Sequence, residues 1–144
     1  VSAILGAHEL VPLSTELDWL EIRLHTVADY VDYFVIVEPS TTFTGKPKPL
    51  YLKDNWNQFE GFHHKIVYRV VEDMIQSQRI WDHEDFFRNA LFNSVFPSLK
   101  GTLVQANPGD VLVVSDMDGI LRSETMLFLR YCRIPARLTL RTHF

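Results

Sequence analysis

Two aspartates one residue apart, Asp116 and Asp118, follow the apolar run Val111-Leu-Val-Val114 through Ser115. A short all-apolar run is the pattern of a strand buried on both faces, the kind found in a parallel sheet. Open α/β sheets bind ligands outside the carboxyl ends of their strands, which is where this pair falls. Continued as a strand, residues i and i+2 point to the same side. Two carboxylates so placed repel each other unless a cation or water lies between them. Their oxygens are hard ligands, suited to a Mg2+ or Mn2+ ion that bridges protein to a substrate phosphate. Alone, Asp-x-Asp is a weak motif, common in solvated loops; the strand in front gives it weight.

Two chemistries share the pattern. One is nucleotide-sugar transfer on a GT-A-type scaffold, where the pair holds a divalent metal on the donor diphosphate. The other is phosphoryl transfer of the haloacid-dehalogenase type, whose first motif is an apolar strand followed by Asp-x-Asp-Gly-Thr. Asp116-Met-Asp-Gly-Ile120 is similar to that motif, and these residues alone leave both readings open. Only 26 residues follow Asp118, and they hold neither a lysine nor the acidic pair a phosphatase needs.

Other reactive residue types carry less. Glu38 ends a second apolar run, Tyr33-Phe-Val-Ile-Val37, where an acid suits a ribose or base edge, or a local turn contact. Pro12 stands where the second histidine of a His-Glu-x-x-His site beginning at His8 would fall. His63 and His64 are adjacent, and on a strand would point apart. The single Cys132 excludes an internal disulfide and a cysteine zinc site, and its apolar helical surroundings read as core. Asp82, Glu84 and Asp85 crowd the start of a helix, where the dipole favours acids. Arg88 and Asn89 follow mid-helix and read as surface.

The elements that must position these groups alternate. Thr15 can cap a helix with Asp18 three residues on, and Leu17, Leu20, Leu24, Val27, Ala28 and Val31 follow at helical spacing. Glu16, Glu21, Arg23 and Asp29 read as its solvated face. Tyr33–Val37 is a strand, and Pro39–Pro49 a turn-rich loop whose one glycine, Gly45, cannot make a phosphate cradle. Leu50–Phe62 predicts a short helix and Ile66–Val71 a strand. A helix from Trp81 ends at Pro97, and Asn107-Pro-Gly-Asp110 is a turn. A helix capped by Ser123 stops at Pro135, and Arg137–Arg141 alternates as a last strand. Near the start, Gly6 and Pro12 argue against a regular strand. The order predicts an α/β layered fold with a mostly parallel central sheet, and one domain over residues 1–144.

Bulk composition is that of a globular chain, 47% hydrophobic and 22% charged, and its net charge of -4 argues against nucleic acid. No run approaches the roughly 20 apolar residues of a membrane span. The chain opens at Val1 rather than Met and closes just after an alternating segment, which reads as a piece of a longer protein.

Several segments together resemble glycosyltransferase family 17, the bisecting β-1,4-N-acetylglucosaminyltransferase family, and its fungal members in particular. They are Glu16–His25, Val31–Glu38, Thr42–Tyr51, Phe62–Lys65, Trp81–Phe86 with Arg88-Asn-Ala90, and Gly109–Asp118. The resemblance implies a GT-A-like (Rossmann-like) fold with helices on both faces of the sheet. It implies a UDP-GlcNAc donor, an N-glycan (glycoprotein) acceptor, a divalent metal (Mn2+), and inverting transfer to the core β-mannose. The family's Asp-x-Asp falls on Asp116 and Asp118 as metal ligands, with Asp116, Glu38 and Arg88 as nucleotide-sugar contacts. A Golgi or other secretory-pathway membrane location is implied, lumenal, through an anchor outside this chain. Three departures stand out: Gly119 replaces the family's acid, the first strand is poorly formed in Ser2–Leu13, and the aromatic-rich acceptor half is missing. The general base is unassigned, with Glu84 and Asp85 remote candidates. A decayed, non-catalytic transferase is the alternative.

Overall fold

The computed structural model describes residues 4–73 and 75–141. Four strands, β1 (Ala7–Pro12), β2 (Tyr33–Pro39), β3 (Ile66–Val71) and β4 (Val111–Val114), form one all-parallel sheet in the order β3-β2-β1-β4. The helices are α1 (Leu17–Val27), the single turn α2 (Tyr51–Asp54), α3 (Ile80–Ala90), the short α4 (Phe96–Ser98) and α5 (Ser123–Tyr131). A 3-10 stretch, Trp56–Lys65, leads into β3. The architecture is the Rossmann-like α/β layering the alternation predicts.

Side-chain alternation along β2 sets the two layers. Phe34 and Ile36 face a core shared with Leu20, Leu24 and Val27 of α1 and Met126 and Leu129 of α5. Val35 and Val37 face the other way, onto Leu91, Val95 and Leu99. Those three residues belong to a continuation of α3: a π-helical turn, Leu91–Val95, and then α4. Pro97 therefore stands one residue before the end of the helical run, at Ser98. It lacks the N–H that an α-helical bond would need, and it sits in the first turn of α4 just after the wider π turn, where that loss is tolerated.

The sequence reading of the first strand is overturned. β1 is regular and central, paired with β2 from His8↔Tyr33 to Pro12↔Val37 and with β4 from Ala7↔Val111 to Leu10↔Val114. Pro12 is its last residue, so the missing donor falls at the strand end. Gly6 lies just outside, where a Cβ would meet the Asp110 carboxylate at 2.7 Å. That contact is used: Gly6 N–H donates to Asp110 Oδ1 at 2.8 Å, and Asn107 N–H to Asp110 Oδ2 at 2.7 Å. Glycine here ties the start of β1 to the turn before β4, in which Gly109 takes φ +96°.

Arg130 of α5 secures the same end of the sheet. Its guanidinium donates to the carbonyls of Leu5 and Tyr30 and to Asp32, whose carboxylate accepts the Ala7 N–H at 2.8 Å. Three further expectations change. Residues 137–141 form no strand; Leu138 and Leu140 are exposed, with no strand beside them to convert alternation into pairing. Cys132 is exposed at the end of α5, not core. β4 is buried on one face only: Val111 and Val113 join the core, while Leu112 and Val114 are 41% and 48% exposed. No helix among the described residues is long and apolar enough to cross a membrane.

Candidate active site

β4 stops at Val114, so Asp116 and Asp118 lie in a turn, not on a strand continued. Gly119 N–H donates to Asp116 O at 3.1 Å and Ile120 N–H to Asp118 O at 2.9 Å. Met117, between the acids, is buried and anchors the turn in the core, while Asp116 and Asp118 are exposed on either side of it.

The turn is held from beneath by Arg23, which contradicts its placement on a solvated face. Arg23 is fully buried. Its Nη2 donates to Asp116 O at 2.7 Å, Met117 O at 3.0 Å and Ser115 Oγ at 3.2 Å. Its Nη1 donates to Glu9 Oε2 at 2.8 Å, a buried ion pair between α1 and β1. Burial pushes the Glu9 carboxyl up from its ordinary value, and the Arg23 charge pulls against that shift. A signal for this was present. Leu20, Arg23, Leu24 and Val27 share one helical stripe, and Glu9 stands in the buried strand β1. Two opposite charges, each on a buried face, are partners in waiting.

The carboxyl ends of β1, β2 and β4 enclose a crevice of about 140 Å³, lined among others by Ser14, Glu16, Pro39, Glu84 and Asp116. It lies where the strand order reverses, with β2 and β3 to one side of β1 and β4 to the other, the usual ligand position in such sheets. α3 forms one wall. Arg88 reaches from α3 across the crevice mouth, its Nη2 2.7 Å from Asp116 Oδ1 and 2.5 Å from Glu84 Oε1. Arg88 is thus engaged with Asp116 and Glu84 rather than loose on the surface.

Glu16 also serves the rim. It stands at the N-cap position of α1 in place of Thr15, and its carboxylate accepts the Ser14 and Thr15 N–H groups at 2.8 and 2.9 Å. Glu38 is placed differently. It is fully buried at the end of β2, where it accepts Tyr68 O–H at 2.6 Å, Leu52 N–H at 3.2 Å and Lys48 Nζ at 3.3 Å. Its oxygens are committed to α2, β3 and the loop between β2 and α2, so as placed it ties that loop to the sheet. The Tyr68 hydroxyl is driven above its ordinary pKa by burial and by Glu38. His63 stacks on Trp56 and bonds its carbonyl, while His64 lies beside it in the 3-10 stretch.

A larger cavity, about 470 Å³, lies on the opposite side of α3, between Val71 of β3 and Asn93 of the π turn. It contains neither Asp116 nor Asp118. The smaller crevice carries Asp116, Glu16 and Glu84 and the switch-point position, with Asp118 and Arg88 outside its lining, so it is the candidate ligand site. Its volume is below the few hundred Å³ of a full ligand pocket.

The donor set fits a hard divalent ion. Among the described residues no three His, Cys, Asp or Glu side chains converge on a metal position. Asp116 and Asp118 are exposed oxygen donors on one short turn, the ligand type Mg2+ and Mn2+ take, and would supply at most two side chains to such an ion.

A parallel α/β sheet with an acidic pair beyond the carboxyl end of β4 defines an α/β protein whose ligand position is the switch point. The chain belongs to glycosyltransferase family 17, whose model matches residues 7–143. It is similar to the β-1,4-mannosyl-glycoprotein 4-β-N-acetylglucosaminyltransferases of Rattus norvegicus and Homo sapiens, each 29% identical over 124 residues. The Mus musculus protein of that name is 28% identical over the same length. Each match covers 83% of this chain and 22% of the relative, so the chain spans about a fifth of the length of these curated proteins. No solved structure matches the chain.

Proposed function

We propose that this chain is the donor-binding part of an inverting N-acetylglucosaminyltransferase that uses UDP-GlcNAc. The product would be a β-1,4 linkage to the core β-mannose of an N-glycan on a glycoprotein. The observation that carries the reading is the Asp116–Asp118 turn, fixed by Arg23 and facing Arg88 across the switch-point crevice. Family membership supports glycosyl transfer, and the relatives' names support N-acetylglucosamine as the sugar and β-1,4 as the linkage.

In this reading a divalent ion, Mn2+ first, supplies positive charge at the donor diphosphate and stabilises the departing UDP. Asp116 and Asp118 are its protein ligands. Arg88 offers a planar fork of donors suited to phosphate oxygens. Glu84 lines the crevice but is bound by Arg88, and Asp85 does not line it, so neither is assigned as the base for the acceptor hydroxyl. A Golgi or other secretory-pathway location, lumenal, with an anchor outside this chain, belongs to the same proposal, as does an acceptor site outside it.

The test is calorimetric titration of the chain with UDP, with and without Mn2+, repeated on Asp118→Ala. The expected result is UDP binding that requires Mn2+ and is lost in the variant. Absence of Mn2+-dependent UDP binding in the unaltered chain would leave the second reading, a non-catalytic family member, favoured by Gly119 in place of an acid. Phosphoester hydrolysis lost in Asp116→Asn would instead favour a phosphatase.

A further inference from the structure

The Arg88 guanidinium occupies the very carboxylate that the transferase reading gives to a metal. Its Nη2 lies 2.7 Å from Asp116 Oδ1, and the same nitrogen is 2.5 Å from Glu84 Oε1. Glu84 stands one turn earlier on α3, so it tethers the guanidinium without closing the site. Among the described residues the other guanidinium nitrogens of Arg88 make no hydrogen bond, so part of its fork is free to take another acceptor. Both partners are substantially exposed, Arg88 by 42% and Asp116 by 59% of their side chains. A pair this wet is weak and can exchange.

We infer that Arg88 is a placeholder cation, paired with Asp116 until a diphosphate draws it away. This rests on the transferase reading above. The physical basis is charge balance. A second cation at Asp116 is repelled by the guanidinium already there, so metal alone binds poorly. A diphosphate entering the crevice offers Arg88 a better, bidentate partner. Swinging on its Glu84 tether, Arg88 moves to the phosphate oxygens and leaves both aspartates to the metal. Metal and diphosphate then assist each other's binding, and by linkage the assistance is the same in both directions. Arg88 is accordingly a positioning residue for the acidic pair in the empty state and a phosphate ligand in the loaded state.

This role predicts effects of opposite sign from one substitution, which a merely structural residue would not give. The probes are Mn2+ alone, followed by the loss of its free paramagnetic-resonance signal, and UDP titrated at saturating Mn2+. Arg88→Gln should bind Mn2+ alone about two- to fivefold more tightly, the strength expected of an exposed ion pair. It should bind UDP with Mn2+ about tenfold more weakly, the loss of a charge-assisted phosphate contact. Arg88→Lys keeps the charge but not the fork, so Mn2+ alone should bind as in the unaltered chain while UDP binding falls. If Arg88→Gln binds Mn2+ alone no more tightly, while the unaltered chain still shows Mn2+-dependent UDP binding, the placeholder role is overturned and the transferase reading survives. If the unaltered chain shows no Mn2+-dependent UDP binding, both fall together.

Discussion

Arg23 is the residue on which the site's geometry depends, although it touches neither carboxylate of the acidic pair. It fixes the backbone of the turn through two carbonyls, and its charge is balanced by a glutamate buried with it. Removing one member of a buried pair strands the other, at about 3–5 kcal/mol. Arg23→Ala should therefore destabilise the chain by that amount in urea denaturation. The pair itself is imperfect: Arg23 Nε and Glu9 Oε1 have no protein partner among the described residues. An apolar replacement of both, Arg23→Met with Glu9→Leu, should recover most of the stability, because the two desolvated charges leave together. It should not recover Mn2+-dependent UDP binding, since the carbonyls of Asp116 and Met117 lose the donor that shapes their turn. Calorimetry on the refolded double variant checks this, and intact binding there would show that Arg23 serves the fold alone.

At the scale of elements, the segment between β3 and α3 is pinned by His83. The ring is buried; its Nδ1 contacts the Asp73 carboxylate, and its Nε2 lies 2.7 Å from the Ser77 carbonyl. Two acceptors on one imidazole call for both nitrogens protonated. The His83 pKa is accordingly raised, first by the Ser77 carbonyl and next by Asp73, with Asp82 nearby adding to it and burial opposing. A raised histidine contributes stability that is complete below its ordinary value near 6.5 and is lost as pH rises through the folded-state value. Thermal melts from pH 6 to 9 should therefore show a decline that His83→Gln flattens; equal slopes in both proteins would discard the role. Nothing in the sequence marks this clamp, because it joins a histidine on α3 to Asp73 and Ser77 in a connection without periodicity. The contrast with β2 shows where legibility lies. An apolar run ending at an acid reads correctly as a buried strand, since burial is written in composition. The use of that acid is not, since Glu38 is consumed by Tyr68, Leu52 and Lys48 from elements that only folding brings near. Likewise the Asp116–Asp118 pair was visible, but the arginine beneath it was read as solvent-facing although it shares a stripe with Leu20, Leu24 and Val27. β1 was missed for a related reason: Gly6 and Pro12 are strand breakers by type, yet they sit just outside and at the last residue of the strand, where each does no harm.

At the scale of the molecule, the sheet is closed by helices on both faces but ends at β4, which pairs with β1 alone among the described strands. Its outward face carries Leu112 and Val114, while on the other face of the sheet α5, packed on Val111 and Val113, exposes Phe128 and Tyr131, 53% and 54% accessible. An unpaired strand edge flanked by exposed apolar side chains is a template for association. The chain matches about a fifth of the length of its relatives, so in proteins of that length much further sequence is available to cover such surfaces. As a separate 144-residue polypeptide it should self-associate through this edge, with a sedimentation coefficient that rises with concentration. Val114→Lys places a charge on the edge strand, the device by which natural sheets resist edge pairing. Because Val114 is already half exposed, the change should cost no more than about 0.5 kcal/mol in stability. It should nonetheless hold the chain monomeric at loadings where the unaltered chain associates. If both proteins sediment as monomers throughout, the β4 edge is protected within the chain itself; if both associate alike, the association runs through another surface, with the exposed side of α5 next in line.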